Sequence, residues 1–119
     1  MAAATLYYGN VKEDVWLICK WVDENRIYRK EDCLNISGYD NWHWGNLKQG
    51  GEIIWWPKKE PGFNRELSQV WHLESTMDKH SFYIKDHKDI YYLCYGDNKT
   101  MFLSNNASDK KIIFKYGWD

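Results

Sequence analysis

Apolar and polar residues alternate in short runs along this chain, most clearly between Ser81 and Tyr116. In Ser81-Phe-Tyr-Ile-Lys85 the alternation sets Phe82 and Ile84 against Tyr83 and Lys85, the period of two that marks a half-buried β-strand. Tyr91 to Tyr95 is a second run, aromatic and aliphatic. Met101-Phe102-Leu103 and Ile112-Ile113-Phe114 are the third and fourth. Gly96-Asp97-Asn98 closes the second run, and Asn105-Asn106 ends the third, with residues that accept the backbone angles of tight turns. No stretch of ten or more residues keeps a period of 3.6, so the pattern predicts an all-β chain with almost no helix.

The same four-run unit recurs. Leu6, Tyr8 and Gly9 fall on Leu93, Tyr95 and Gly96. Trp16-Leu17 fall on Phe102-Leu103, and Ile27-Tyr28 on Ile113-Phe114. In a further copy, Leu34 and Ile36 fall on Phe82 and Ile84. Trp42 to Asn46 falls on the run ending at Asn98, Ile54-Trp55 near Met101-Phe102, and Val70-Trp71 on Ile113-Phe114. This divides the chain into a single domain of three imperfect repeats, about 1–32, 33–76 and 77–119, the first lacking its opening strand. A propeller needs at least four blades, whereas three units close readily into a short barrel capped by hairpins. The expected fold is therefore a β-trefoil, with a β-sandwich or jelly roll as the alternative. Pro57, Pro61 and Gly62 mark the longest loop.

Gln69-Val70-Trp71 reproduces the Gln-any-Trp signature of the last strand in each repeat of the ricin-B-like β-trefoil lectins. On the repeat pattern and this motif the chain resembles a short, distant member of that family. The resemblance implies that Trp71 packs in the core and that the Gln69 side chain bonds nearby backbone. It also implies binding of glycans or glycoproteins without catalysis. The signature occurs once; the other two copies carry Arg26-Ile27-Tyr28 and Lys111-Ile112-Ile113-Phe114 at that place. The acidic residue that takes sugar hydroxyls in galactose-binding members is replaced here by Tyr7, His43 and Cys94, so that particular site does not carry over.

Composition sharpens this picture. Eight Trp, nine Tyr and four Phe supply flat apolar faces for stacking on sugar rings. Each copy ends its second strand with an aromatic residue, a glycine and an asparagine: Tyr8-Gly9-Asn10, Trp44-Gly45-Asn46 and Tyr95-Gly96-Asp97-Asn98. A ring beside a planar amide or carboxylate is what sugar recognition requires. The candidate ligand-binding residues are thus Trp42, Trp44 and Asn46, then Tyr95, Asp97 and Asn98, then Tyr8 and Asn10. The same steps also read as ordinary hairpin turns with cross-strand aromatic pairs. Trp55 and Trp56, adjacent on one strand, point to opposite faces, so one of them faces away from the interior. Weak sites of this kind gain from avidity, which repeated copies or a homodimer would supply.

Other chemistries find little to stand on. The net charge of −1 gives no footprint for nucleic acid. His43, His72, His80 and His87 lack metal-site spacing, and no phosphate loop or nucleophile motif is present, so neither a cofactor nor an enzyme is expected. The mixed charges Asp78, Lys79, Asp86, Lys88 and Asp89, and Asp109, Lys110 and Lys111, read as solvated turns. The second functional reading is a protein-binding trefoil, a protease inhibitor or defence protein, acting through the 57–66 loop. The chain has no stretch of signal-peptide or membrane-span character. Cys19, Cys33 and Cys94 are odd in number without paired spacing, which argues against a disulfide framework and for the cytoplasm. The expected compartment is therefore the cytoplasm, with secretion as the alternative that the N-glycosylation acceptor patterns at Asn35, Asn98 and Asn106 support.

Overall fold

The computed structural model describes residues 5–8, 15–24, 28–39, 45–59, 64–78, 80–98 and 100–115. It is all-β. Among the described residues, nine strands form one antiparallel sheet: β1 (Thr5–Tyr8), β2 (Val15–Glu24), β3 (Tyr28–Ile36), β4 (Glu52–Pro57), β5 (Trp71–Ser75), β6 (Ser81–Asp86), β7 (Tyr92–Tyr95), β8 (Met101–Ser104) and β9 (Ile113–Lys115). The one helical element among the described residues is a single 3-10 segment, Asn64–Gln69.

The strands run in the order β1-β2-β3-β4-β8-β7-β6-β5, and β5 pairs back onto β2. Seven strands, β2 to β8, therefore form a closed cycle of neighbours. β1 lies on β2 outside this cycle, and β9 lies on β6. Closure leaves fewer free edges to pair with other chains. Each strand of the cycle contributes to one core: Ile18, Leu34, Ile36, Ile53, Trp71, Ile84, Leu93 and Leu103, with Tyr39 from the turn after β3.

The predicted strands of the 81–116 region all form, as β6 to β9. β7 and β8 make a hairpin with Tyr95 opposite Met101. β6 uses one edge for β5, and shares the other between β9 at Ser81–Tyr83 and β7 at Lys85. Near the N-terminus, β1 and β2 also pair as a hairpin, with Tyr8 opposite Trp16. This sets Trp16 level with Met101, one place from the alignment made on sequence. β3 runs unbroken through positions 32 and 33, so the charged Arg29-Lys-Glu-Asp32 stretch and Cys33-Leu-Asn-Ile36 are one strand.

Side chains replace ladder hydrogen bonds where the chain turns. Asp86 was expected in a solvated turn but is fully buried. Its carboxylate accepts backbone N–H groups from Lys88 (2.7 Å), Ile90 (3.1 Å) and Tyr91 (2.6 Å). A buried carboxylate needs such donors, and here they hold the turn in which Asp89 takes a φ of 59°. Gln49 likewise fastens the 45–51 turn to the end of β8: Nε2 donates to Ser104 Oγ at 2.8 Å and Oε1 accepts from Asn105 N at 2.9 Å.

The cysteine expectation is corrected. Cys19 and Cys33 form a disulfide. They stand directly opposite in the β2–β3 register, and both are buried. Cysteines fourteen residues apart were brought together by a hairpin that their spacing alone did not announce. Cys94 is the free, buried third. No helix among the described residues is long and apolar enough to cross a membrane.

Candidate functional site

Of the three aromatic–glycine–asparagine steps, the one in the β7–β8 hairpin is described in full apart from Lys99. Tyr95 ends β7 with 43% of its surface exposed. The turn beyond is closed by Gly96 N donating to Thr100 O at 2.9 Å. Asp97 and Asn98 are exposed in that turn. Neither side chain is hydrogen-bonded to any described residue, so an exposed carboxylate and an exposed planar amide lie within three residues of an accessible ring. This is a donor–acceptor set that can bond adjacent hydroxyls of a ring stacked on tyrosine.

The second step is built differently. Trp42 and Trp44 lie outside the described residues. Asn46 donates from Nδ2 to Ser37 O at 2.8 Å, and from its backbone N to the same carbonyl at 3.0 Å. Its amide nitrogen is thus engaged in closing the turn against residues 37–39. Gly45 has a φ of +50°, and a Cβ there would lie 2.2 Å from the Gly38 carbonyl. The missing side chain admits the chain's own backbone. In the first step Tyr8 ends β1, while Asn10 lies outside the described residues. Tyr8 and Tyr95 thus hold matching places at the ends of two separate hairpins, which the sheet order does not make neighbours.

Gln69 and Trp71 are both buried. Trp71 Nε1 donates to Leu34 O at 3.0 Å. Gln69 Oε1 accepts from Lys59 N at 2.9 Å, and Nε2 donates to Pro57 O at 2.9 Å. Gln69 therefore grips the opening stem of the 57–66 loop from the 3-10 segment that follows it; Glu60 to Phe63 within it lie outside the described residues. Beside it, Lys59 Nζ donates to Ser68 Oγ at 2.5 Å, and Ser68 Oγ donates to Asn35 Oδ1 at 3.0 Å. Ser68 is wholly buried, so this lysine–serine contact is a packed polar network closed to substrate. Asn35 is also buried, which leaves its amide no room for a glycan, whereas Asn98 and Asn106 are exposed.

Of Trp55 and Trp56, Trp55 packs against the core and Trp56 is 49% exposed. Lys20 Nζ sits 4.4 Å from the centre of the Trp55 ring.

Two further titratable groupings were not legible in the sequence. The Tyr39 hydroxyl shares a 3.0 Å hydrogen bond with Nε2 of His87, and the rings meet edge to face. Burial lowers the His87 pKa, against the opposing pull of Asp86 and together with Lys88 and His72. Burial, then Asp86, raises that of Tyr39. A neutral imidazole accepting from a protonated phenol fits both directions. The Cys94 thiol is pushed up mainly by burial and secondarily by Asp109, with Lys111 opposing, so it lacks the thiolate character of a nucleophile. His43 lies outside the described residues. Among the described residues no group of three His, Cys, Asp or Glu side chains could hold a metal ion.

The second grouping covers the outer face of β5, β6, β7 and β9. The register sets Glu74 beside Tyr83 and Tyr83 beside Ile113; it also sets His72 beside Lys85 and Lys85 beside Tyr92. Tyr92 donates its hydroxyl hydrogen to Glu74 Oε2 at 2.5 Å. That bond leads the causes, followed by burial and nearby negative charge, that push the Tyr92 pKa up to about 12. Lys111 joins from the segment before β9, bridged to Cys94. On sequence it read as a solvated turn; here its ammonium lies over two tyrosine rings, 4.5 Å from Tyr92 and 5.3 Å from Tyr83.

No protein-family model matches the chain, and no curated protein and no solved structure is detectably similar to it.

Proposed function

We propose that this chain is a non-catalytic carbohydrate-binding protein of trefoil-type architecture, and that its principal site is the end of the β7–β8 hairpin. The observation that carries the reading is the exposed ring of Tyr95 next to the unengaged side chains of Asp97 and Asn98. A sugar would stack its C–H face on the tyrosine and present adjacent hydroxyls to the carboxylate and amide. The site is shallow, so each contact is weak and specificity rests on few groups.

Three features support the trefoil-type reading. The β1–β2 and β7–β8 hairpins place Tyr8 and Tyr95 at matching ends. The last unit combines the β7–β8 hairpin with a β6–β9 pair, as a trefoil repeat does. Gln69 and Trp71 behave as the Gln-any-Trp resemblance implies, the one bonded to backbone and the other in the core.

The test compares glycan binding of the wild-type chain with that of Tyr95→Ala and Asn98→Ala. The protein is produced in a host without N-glycosylation, since Asn98 is itself an acceptor. Each variant should bind about tenfold more weakly or worse, with an unchanged melting temperature, because an exposed aromatic contributes more to the ligand contact than to the fold. Unaltered binding by both would move the site elsewhere.

A further inference from the structure

Tyr92 stands among Lys85, Lys111 and Tyr83 and donates its hydroxyl to Glu74; a second carboxylate, Asp89, acts on Tyr92 from nearby and is paired with His72 at 3.3 Å. Lys85 stands 5.1 Å and Lys111 4.5 Å from the centre of the Tyr92 ring, and neither ammonium has a carboxylate partner among the described residues. The rings meet edge to face, 5.8 Å between centres and 84° between planes, so each limits the other's movement. Ile113, 53% exposed, lies beside Tyr83 and extends the patch with an apolar rim.

Cation–π contact holds an ammonium in place without neutralising it. A pair of lysines held in this way is pre-organised for an anion, and the aromatic and aliphatic surface around them suits a ring with an apolar face. The patch is separate from Tyr95, since alternation along β7 turns Tyr92 and Tyr95 to opposite faces.

We infer that the outer face of β5, β6, β7 and β9 is a second glycan subsite selective for acidic saccharides, with Lys85 and Lys111 binding a carboxylate or sulfate group and Tyr83, Tyr92 and Ile113 contacting the ring that bears it. This rests on the glycan-binding reading and names a ligand class that the Tyr95 site does not require.

The experiment measures the affinity of the whole chain for an oligogalacturonide and its fully methyl-esterified form, and for a heparin-derived oligosaccharide and its desulfated form. The charged member of at least one pair should bind about tenfold more tightly than its neutral counterpart, and whichever pair discriminates identifies carboxylate or sulfate. Lys111→Gln should abolish that preference. Glu74→Gln removes one of the two carboxylates near Tyr92 while leaving an acceptor for its hydroxyl, and should strengthen that preference. The opposite signs separate recognition from damage to the fold. Tyr83→Leu should weaken both members of the discriminating pair, which a purely ionic attraction would not. Equal affinity within both pairs, a preference that survives Lys111→Gln, or Tyr83→Leu without effect overturns the subsite. Binding of neutral glycans lost in Tyr95→Ala, with no acidic preference, would refute this inference alone. Folded protein that binds no saccharide would refute it together with the reading beneath it.

Discussion

Trp71 donates its indole N–H to the main-chain carbonyl of Leu34 at 3.0 Å, across 37 residues of sequence. The contact joins β5 to β3 through the middle of the core. It makes the indole ring both the largest fully buried side chain and a polar tie between strands that do not pair directly. Trp71→Phe keeps most of the volume but leaves a buried carbonyl unpaired, for a loss of about 1–3 kcal/mol. Trp71→Ala adds a cavity and should cost about 3–5 kcal/mol. Urea denaturation measures both. A midpoint unmoved in Trp71→Phe would mean that the hydrogen bond adds nothing.

The glycines separate into required and dispensable. Gly45 has a φ of +50° and meets the Gly38 carbonyl within 2.2 Å of where a Cβ would stand. Gly45→Ala should cost about 2 kcal/mol or more, as backbone must move on either side. At Gly96 the nearest atom to an added Cβ is Thr100 Oγ1 at 3.4 Å. Gly96→Ala should change stability by less than about 1 kcal/mol. Thermal melts of the two variants side by side check the contrast, and equal losses would contradict it.

The disulfide predicts a thiol count. Unfolded, unreduced protein should titrate one thiol, Cys94, and folded protein none, because Cys94 is buried. The Cys19–Cys33 bridge closes a loop of 14 residues. Its reduction, or the double change Cys19→Ser with Cys33→Ser, should lower stability by roughly 3 kcal/mol on chain entropy. Three titratable thiols in oxidised, unfolded protein would contradict the pairing.

Two titrations contribute to the dependence of stability on pH, with opposite signs. The Tyr92 pKa is raised from 10.0 to about 12, chiefly by its hydrogen bond to Glu74. Its contribution is present in full below pH 10 and is lost as pH rises through about 12. Tyr92→Phe should flatten that alkaline decline. The His87 pKa is lowered from 6.5 by burial. Its contribution is present above pH 6.5 and is lost as pH falls through the lowered value, since the unfolded chain takes up the proton first. His87→Gln should make stability less sensitive to acid between pH 6.5 and that lowered value. Denaturation midpoints across pH read both, and identical pH profiles in variant and wild type would refute either assignment.

The parts of the fold legible in the sequence are those where alternation and turn residues coincide. Phe82 and Ile84, Leu93, and Leu103 all lie in strands as the period of two requires, and Gly96-Asp97-Asn98 closes a hairpin. Where charge interrupts the pattern, alternation marks the end of a strand too early. Arg29-Lys-Glu-Asp32 looked like the end of a unit, yet β3 carries it because β2 continues opposite, with Lys20 facing Asp32. Lys111 was read as solvent-facing because nothing local reveals that β6, β7 and the approach to β9 lie side by side. That arrangement depends on pairings between distant segments, such as Lys85 with Tyr92 and Tyr83 with Ile113. Tyr95, Asp97 and Asn98 were legible because ring, turn and polar groups fall within four consecutive residues. Asn46 looked equivalent, but its amide faces Ser37, a partner the sequence does not disclose.

The most direct test of the account is a broad glycan array probed with the unglycosylated wild-type chain, its folding verified by a cooperative melt. The account predicts binding to a restricted set of glycans that share an exposed apolar ring face flanked by adjacent hydroxyls, with that set lost in Tyr95→Ala. A blank array from folded protein would contradict the assignment of this chain as a carbohydrate-binding protein.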